Sequence, residues 1–563
     1  MNKKFLFPFL AMVAIITLPA CSGKLTPLKE TKMKTEPQPL EVIGGEVPVT
    51  INVTFPEMWF NKNAVVTVTP VLRYATGETW GTSYSFQGEK VKANNQVVSR
   101  AGGGNATMRS RFEYKPAMRK SELYLTFDAK IKNKTVKLPD IKIADGVLAT
   151  SMLANAATAN PAVGADKFQR IIKEAYDANI MFLIQQAELR SSELAKGELA
   201  DWKNLVENAN QAPNQNVSVE ISAYASPDGG LALNDALAGR RETNTATYLN
   251  RELKRRNVDI PIDARYTAQD WEGFRELVSK SNLQDKDLVL RVLSMYTDPA
   301  EREREIKNIS TVFKTLADVI LPQLRRSRLT ANIEIIGKSD AEITALAKDA
   351  AGSLTIEELL YAATLTDNET EKETIYTKAS TIFANDYRPW NNIGMQRFRA
   401  GDFTKAEEMF NKSNSIKNNS EANINLGLLA LMKGDKAKAQ QLFGGASDVP
   451  ELGEALGLLY LVQGDYARAV SSFAGTKSNN AALAQILTRD YSTAAQTLNV
   501  VKQPDAITDY LKAIVAARTN DATGVVNNMK AAIGKDRALA KEAANDLEFV
   551  KYMNNSSFTD LLR

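Results

Sequence analysis

The 563-residue chain contains no histidine. Ser-His-Asp and Cys-His relays and every His-ligated metal site are therefore excluded, as is the usual proton shuttle of neutral-pH enzymes. Cysteine is nearly as scarce: Cys21 is the only one, which rules out disulfides within the chain and thiolate metal cages. Charge of one sign is also lacking. Lys and Arg total 70 against 66 for Asp and Glu, a formal net charge of +4, so no chain-wide basic field draws in nucleic acid. No segment reaches the ~18 uninterrupted apolar residues of a membrane-spanning helix. What is present is ordinary for globular protein, 44% hydrophobic and 24% charged residues. At roughly 150 residues per domain, the length predicts three or four domains. Carboxylate, Lys or Tyr chemistry stays open, but the expectation is a binding or scaffolding protein, not an enzyme, with no cofactor and no metal.

The amino terminus reads as an address. Lys3 and Lys4 precede the apolar run Phe5–Leu18, 14 residues long, which suits a signal segment better than a bilayer span. It ends in Leu18-Pro19-Ala20-Cys21, which resembles the bacterial lipoprotein signal box. The resemblance implies cleavage of residues 1–20, acylation (palmitate) of Cys21 and anchoring in the outer membrane of a Gram-negative, Bacteroidota-like cell. Cleavage removes two lysines and lowers the formal charge from +4 to +2. Residues 21–40, polar and proline-containing, read as a lipidated flexible tether. Some Bacteroidota lipoproteins carry an acidic tract after the cysteine as a surface-export mark. Ser22-Gly23-Lys24 stands there instead, which favours a periplasm-facing anchor and leaves surface exposure as the other option.

Three folded regions are expected beyond the tether. Over 41–148, period-two alternation (Val47, Val49, Ile51, Val53) and the segments LYLTFDAKI and VKLPDIKI predict a β-sandwich, with RAGGGNATMRS as a flexible glycine-rich tip. Over 165–340, the strands ANIMFL, NVSVEISAY and TANIEII alternate with helices, which predicts an α/β domain with a mixed sheet. A helical insertion over 266–324 carries apolar residues at helical spacing (Ile306, Ile309, Val312, Phe313, Leu316, Val319). Asp270 and Glu272 flank Trp271. Residues two apart share no helix face, so packing of Trp271 is favoured over a paired-carboxylate site.

The stretch ISAYASPDGGLALNDALAGRRETNTATYL resembles the OmpA C-terminal-like family. Asn234, Leu237 and Arg241 match its helix motif, and Ala223 and Tyr224 fall at its Gly and His. The resemblance implies peptidoglycan binding, with an Asp on the amine of a diaminopimelate and the Arg, here Arg241, on its carboxylate; such a bidentate pair is chemically sound. Ser226 falls where the Asp is expected, and Asp228 lies two residues on. Either Asp228 supplies the carboxylate or it is a turn residue of Pro-Asp-Gly-Gly. Arg241 is either the ligand-gripping cation or a solvated helix charge. The basic runs RELKRRN and LRRSR read as solvated ends or as a local surface for anionic polymer or lipid headgroups.

The last third, 350–555, repeats. From Gly394, Gly401, Asp402, Ala406 and Phe410 follow at offsets of 7, 8, 12 and 16. The same offsets from Gly427 give Gly434, Asp435, Ala439 and Phe443, and from Gly457 they give Gly464, Asp465, Ala469 and Phe473. With Trp390 at its head, this pattern resembles the tetratricopeptide repeat (TPR), an α-solenoid of helical hairpins. That resemblance implies a concave groove for a protein partner.

Taken together, the sequence predicts a multidomain α+β protein: a non-enzymatic outer-membrane lipoprotein scaffold linking membrane lipid, peptidoglycan and protein partners. The other reading keeps the folds but loses the wall. In it, the protein is a surface-exposed or assembly-factor lipoprotein acting only through protein contacts.

Overall fold

The computed structural model describes residues 25–283, 285–308 and 310–563. Cys21 and Ile309 lie outside them, and so do the side chains of Ile306 and Val312. The described residues form two compact units, one made of residues 25–165 with 369–563, the other of residues 166–368.

The first unit begins as β structure. β1 (Met33–Glu36), β2 (Glu46–Phe55) and β5 (Gly104–Glu113) form an antiparallel three-stranded sheet; β3 (Ala64–Tyr74), β4 (Tyr84–Gly88) and β6 (Ser121–Ile131) lie in a seven-stranded one. Alternation along β2 puts Val47, Val49, Ile51, Val53 and Phe55 inside. There they share one core with Val66, Val68, Phe86, Met108, Leu123 and Leu125 of the two sheets. Two expectations change. The segment 21–40 is not all tether: Leu25, Leu28, Met33 and Leu40 are buried in this core, because β1 pairs with β2 from Met33 opposite Val53. The glycine-rich tip is mostly strand, since β5 starts at Gly104 and pairs with β2 to its end. Only the turn before it is glycine-dependent, with Gly103 at φ +67° against the Phe55 carbonyl.

The second unit is a four-stranded mixed sheet in the order β7-β10-β8-β9, made of β7 (Ile171–Met181), β8 (Gln215–Tyr224), β9 (Ile262–Thr267) and β10 (Arg326–Ile336). β8 and β9 run parallel, while β10 is antiparallel to both β7 and β8. Helices α1 (Gly197–Gln211) and α2 (Leu231–Arg255) cover one face through Leu199, Trp202, Val206, Tyr248, Leu249 and Leu253. Tyr266, expected inside the helical insertion, belongs to β9. The insertion proper is α3 (Trp271–Lys280), α4 (Lys286–Met295), α5 (Pro299–Asn308) and α6 (Ser310–Val319), with a core of its own around Phe274, Val289, Leu316 and Leu321. After β10, α7 (Asp340–Asp349) and α8 (Ile356–Ala362) belong to this unit, although residues 350–362 were expected in the repeat arm.

The chain then returns to the first unit as helical hairpins. The helices are α9 (Glu369–Ile382), α10 (Tyr387–Arg399), α11 (Phe403–Ile416), α12 (Ser420–Met432), α13 (Lys436–Gly444), α14 (Leu452–Gln463), α15 (Tyr466–Ser472), α16 (Asn479–Leu487), α17 (Tyr491–Asn499), α18 (Ala506–Arg518) and α19 (Ala522–Lys535). Each second helix from α11 to α19 starts at an aspartate N-cap: Asp402, Asp435, Asp465, Asp490 and Asp521. Each cap side chain accepts a main-chain N–H in the first turn, which satisfies a donor the helix leaves orphaned. The residue before the cap is left-handed in all five, Gly401, Gly434 and Gly464 and then Arg489 and Asn520. The array therefore continues past the three units with the full sequence pattern. The β sandwich is fastened to this arm. Lys436 Nζ donates to the Gly44 carbonyl at 2.8 Å, Tyr466 to that of Val42 at 3.2 Å, and Arg119 pairs with Glu542.

Candidate functional site

The repeat residues act as the offsets imply. A Cβ built at Gly394 or Gly457 would lie 2.6 or 2.8 Å from the Phe410 or Phe473 ring, and Phe443 closes on Gly427 in the same way. Ala406, Ala439 and Ala469 are fully buried. Glycine and alanine thus let the paired helices meet, and phenylalanine fills the space between them. Trp390 is half-buried beneath the Lys412 ammonium, 5.6 Å from its ring.

The first helices of these pairs line a groove, and the groove is filled. Residues 154–165, a strap reading ANAATANPAVGA, run through it. Three asparagines each hold one strap residue by both main-chain groups. Asn392 accepts from the Gly164 N–H at 2.8 Å and donates to its carbonyl at 2.9 Å. Asn425 does the same for Ala162 at 2.7 and 2.9 Å, and Asn480 for Asn155 at 2.9 Å each way. Asn391 adds a bond to the Ala162 carbonyl at 2.9 Å and accepts from Asn425 at 3.0 Å. A primary amide has one donor edge and one acceptor edge, so it pairs with a peptide group regardless of the side chain that group carries. Between Asn425 and Asn480 the contact changes in kind. Glu454 accepts from Asn160 Nδ2 at 2.9 Å, while its other oxygen is buried with no hydrogen-bond partner among the described residues. Burial pushes this carboxyl above the usual range, against the bonds from Asn160.

Sequence reasoning missed this site, though a signal was present. Asn392 and Asn425 stand two places before Gly394 and Gly427; the Gly457 unit has Ala455 there, and the unit after it again has an asparagine, Asn480, two before Ala482. The open groove expected from the TPR resemblance is, along α10–α16, occupied by the chain itself.

The second candidate lies at the end of β8. Ser226, Asp228 and Asn234 come together there. Asn234, buried, donates to the carbonyls of Ser226 at 3.0 Å and Gly229 at 2.8 Å, which fixes the turn. The Ser226 hydroxyl donates to one Asp228 oxygen. The other Asp228 oxygen meets Arg325 Nη2 at 3.1 Å, and Arg325 Nε donates to Ser226 Oγ at 3.2 Å. The cation facing Asp228 is therefore Arg325, from the LRRSR run expected to be solvated or to form a surface for anionic polymer or lipid headgroups; its side chain is only 12% exposed.

Arg241 sits elsewhere in this arrangement. It is fully buried and donates to three main-chain carbonyls, Gln186 at 2.9 Å, Tyr224 at 2.7 Å and Leu183 at 3.2 Å. Its Cζ lies 4.8 Å from the Phe182 ring centre. Desolvation, with Arg325 nearby, lowers its pKa to about 10 despite the opposing pull of Asp228. The insertion roofs the turn: Trp271, Phe274, Phe313, Leu316 and Leu321 pack toward Pro227 and Asp228 around a gap of about 10 Å³, scarcely room for one water. Asp270 caps α3 by accepting from Gly273 at 2.9 Å and pairs with Arg326 at 3.5 Å; Trp271 packs edge-on against Phe274.

Among the described residues no group of three or more His, Cys, Asp or Glu side chains is placed to hold a metal ion, and no helix is long and apolar enough to cross a membrane.

No family model matches the chain, and no curated protein does. Among the solved structures to which the chain is similar are three with low superposition scores. A tetratricopeptide repeat protein from Parabacteroides merdae is 15% identical, covering 46% of this chain and 98% of its own, with a TM-score of 0.28. The APC/C hetero-tetramer Cut9–Hcn1 is 14% identical, covering 66% and 81%, with a TM-score of 0.29. Yeast Tom70 is 12% identical, covering 64% and 80%, with a TM-score of 0.25. The arm's own packing, the Gly–Phe closures and the aspartate caps, makes it an array of helical hairpins.

Proposed function

We propose that the protein is a non-enzymatic scaffold of the Gram-negative envelope. In this reading lipid on Cys21 holds it at the outer membrane, on the periplasmic side, and it works through protein contacts made by its sandwich and repeat arm. The lipid anchor and the compartment rest on the amino-terminal sequence alone. For the OmpA-like unit, the reading is that the peptidoglycan site has closed. The observation that carries it is Arg325 on Asp228: an internal guanidinium occupies the carboxylate that a ligand ammonium needs. Arg241 points the same way, with its bonds directed to main-chain carbonyls. Binding of wall peptide through Ser226, Asp228, Asn234 and Arg241 requires Arg325 to leave and the insertion to lift.

Co-sedimentation of the purified mature chain with isolated peptidoglycan sacculi tests this. The expected result is protein left in the supernatant. Pelleting that soluble diaminopimelate-containing wall peptide competes away would overturn the closed-site reading and restore the wall-linking one.

A further inference from the structure

The strap is held mainly by hydrogen bonds to its backbone, with side-chain bonds at Thr158 and Asn160. The side chains it directs inward are small: Ala156, Ala159 and Ala162, spaced three apart, are 8%, 6% and 0% exposed. At Gly164 even a Cβ would lie 2.9 Å from the Arg388 side chain. The groove thus defines a ligand chemistry, an extended segment with a small residue at every third place and glycine at the Arg388 end. Carboxamides that grip N–H and C=O together accept any segment meeting those size limits. The strap has no regular structure beyond one short turn at Ala156–Thr158. Its middle is held by Glu454, a buried carboxylate with one oxygen unpartnered among the described residues. Where the flanking positions use a neutral amide, this one accepts from the Asn160 main chain and side chain through a single carboxylate oxygen and leaves the other without a partner among the described residues.

We infer that the strap is a displaceable internal ligand. It gates the repeat groove against an extended, alanine-rich, small-residue segment of a partner protein, which binds the same asparagines when the strap is out. This rests on the scaffold reading and names the surface and partner chemistry within it. A tethered segment competes at an effective concentration in the millimolar range, so a free peptide of equal chemistry is held off while the strap is seated.

The test uses the full chain and a fluorescent synthetic peptide spanning Leu153–Ala165. Ala162→Arg places a charged side chain where no space exists and expels the strap while leaving the groove whole. The variant is expected to bind the peptide about tenfold or more tightly than wild type, and adding Asn425→Leu is expected to abolish that gain. Equal binding by wild type and Ala162→Arg, or no binding by an Ala162→Arg chain with native circular dichroism, would overturn the inference. Should Ala162→Arg fail to fold, hydrogen exchange on wild type decides. Amides of Ala162 and Gly164 that exchange ahead of the α12 helix amides show a strap that leaves by itself. Exchange together with α12 shows a permanent fastener and overturns the gate. Failure here leaves the scaffold reading standing on its other surfaces, whereas competable pelleting with sacculi counts against the closed wall site without touching the groove.

Discussion

The repeat groove and the end of the mixed sheet are both filled from within the chain, by opposite means. In the groove the filler is a peptide backbone and the grip is neutral, amide to amide at Asn392, Asn425 and Asn480. At the sheet end the filler is a side chain and the grip is ionic, Arg325 on Asp228 under an apolar roof. A neutral grip costs little to expose to water, because solvent replaces each bond almost evenly. Separating a mostly buried ion pair leaves an unpaired charge and costs far more. On the proposed reading, the groove exchanges its occupant and the sheet end keeps it.

Three measurements sharpen or break that contrast. The largest effect is expected at Arg241. Replacing it by alanine removes a fully buried side chain and the donor to three main-chain carbonyls, and should destabilise the second unit by about 3 kcal/mol in chemical denaturation. A fully stable Arg241→Ala chain would mean the guanidinium is not structural and reopen it as a ligand group. Next comes Asn392→Leu, which orphans the N–H and C=O of Gly164; a loss of about 2 kcal/mol is expected, seen in the unfolding of the first unit with the second unchanged. The smallest is Glu454→Gln. Glutamine can donate as well as accept, so at neutral pH the variant should be more stable than wild type by about 1 kcal/mol. Because burial raises the Glu454 carboxyl, the folded wild type holds more protons than the unfolded chain between the ordinary and the raised pKa. Its stability therefore rises as pH falls through that window, and the advantage of glutamine shrinks. Melting curves of both proteins at about pH 5 and pH 7.5 check this; a constant difference would remove Glu454 as the odd link in the ladder.

What was legible in the sequence was local. The Gly, Asp, Ala and Phe offsets of the repeats lie within 16 residues of one another, and each contact they encode is made inside one hairpin. The alternation of β2 and of β8 was equally plain, because one face of each strand meets a core. The strap was not legible. Gly164 meets Asn392 across 228 residues, and ANAATANPAVGA has no period that separates it from a linker. Arg325 escaped for a similar reason: its partner Asp228 is 97 residues away, brought near by a turn and an insertion whose packing no local pattern states. Leu25 and Leu28 were read as tether because isolated leucines among polar residues show no face until β1 is paired.

The strap also sets an order of events. Its asparagine partners follow it by more than 200 residues, so as the chain is made, the strap emerges with nothing to hold it. At roughly 5–20 residues per second it waits on the order of 10–45 s for α10 to appear. In that interval the whole of 166–368 is synthesised and free to fold, since it leaves the first unit at Ala165 and rejoins it at Glu369. Ala165 is held by Arg388 of α10, and α9 begins at Glu369. Closure of the strap is thus a late step that takes place only once the intervening unit has been produced.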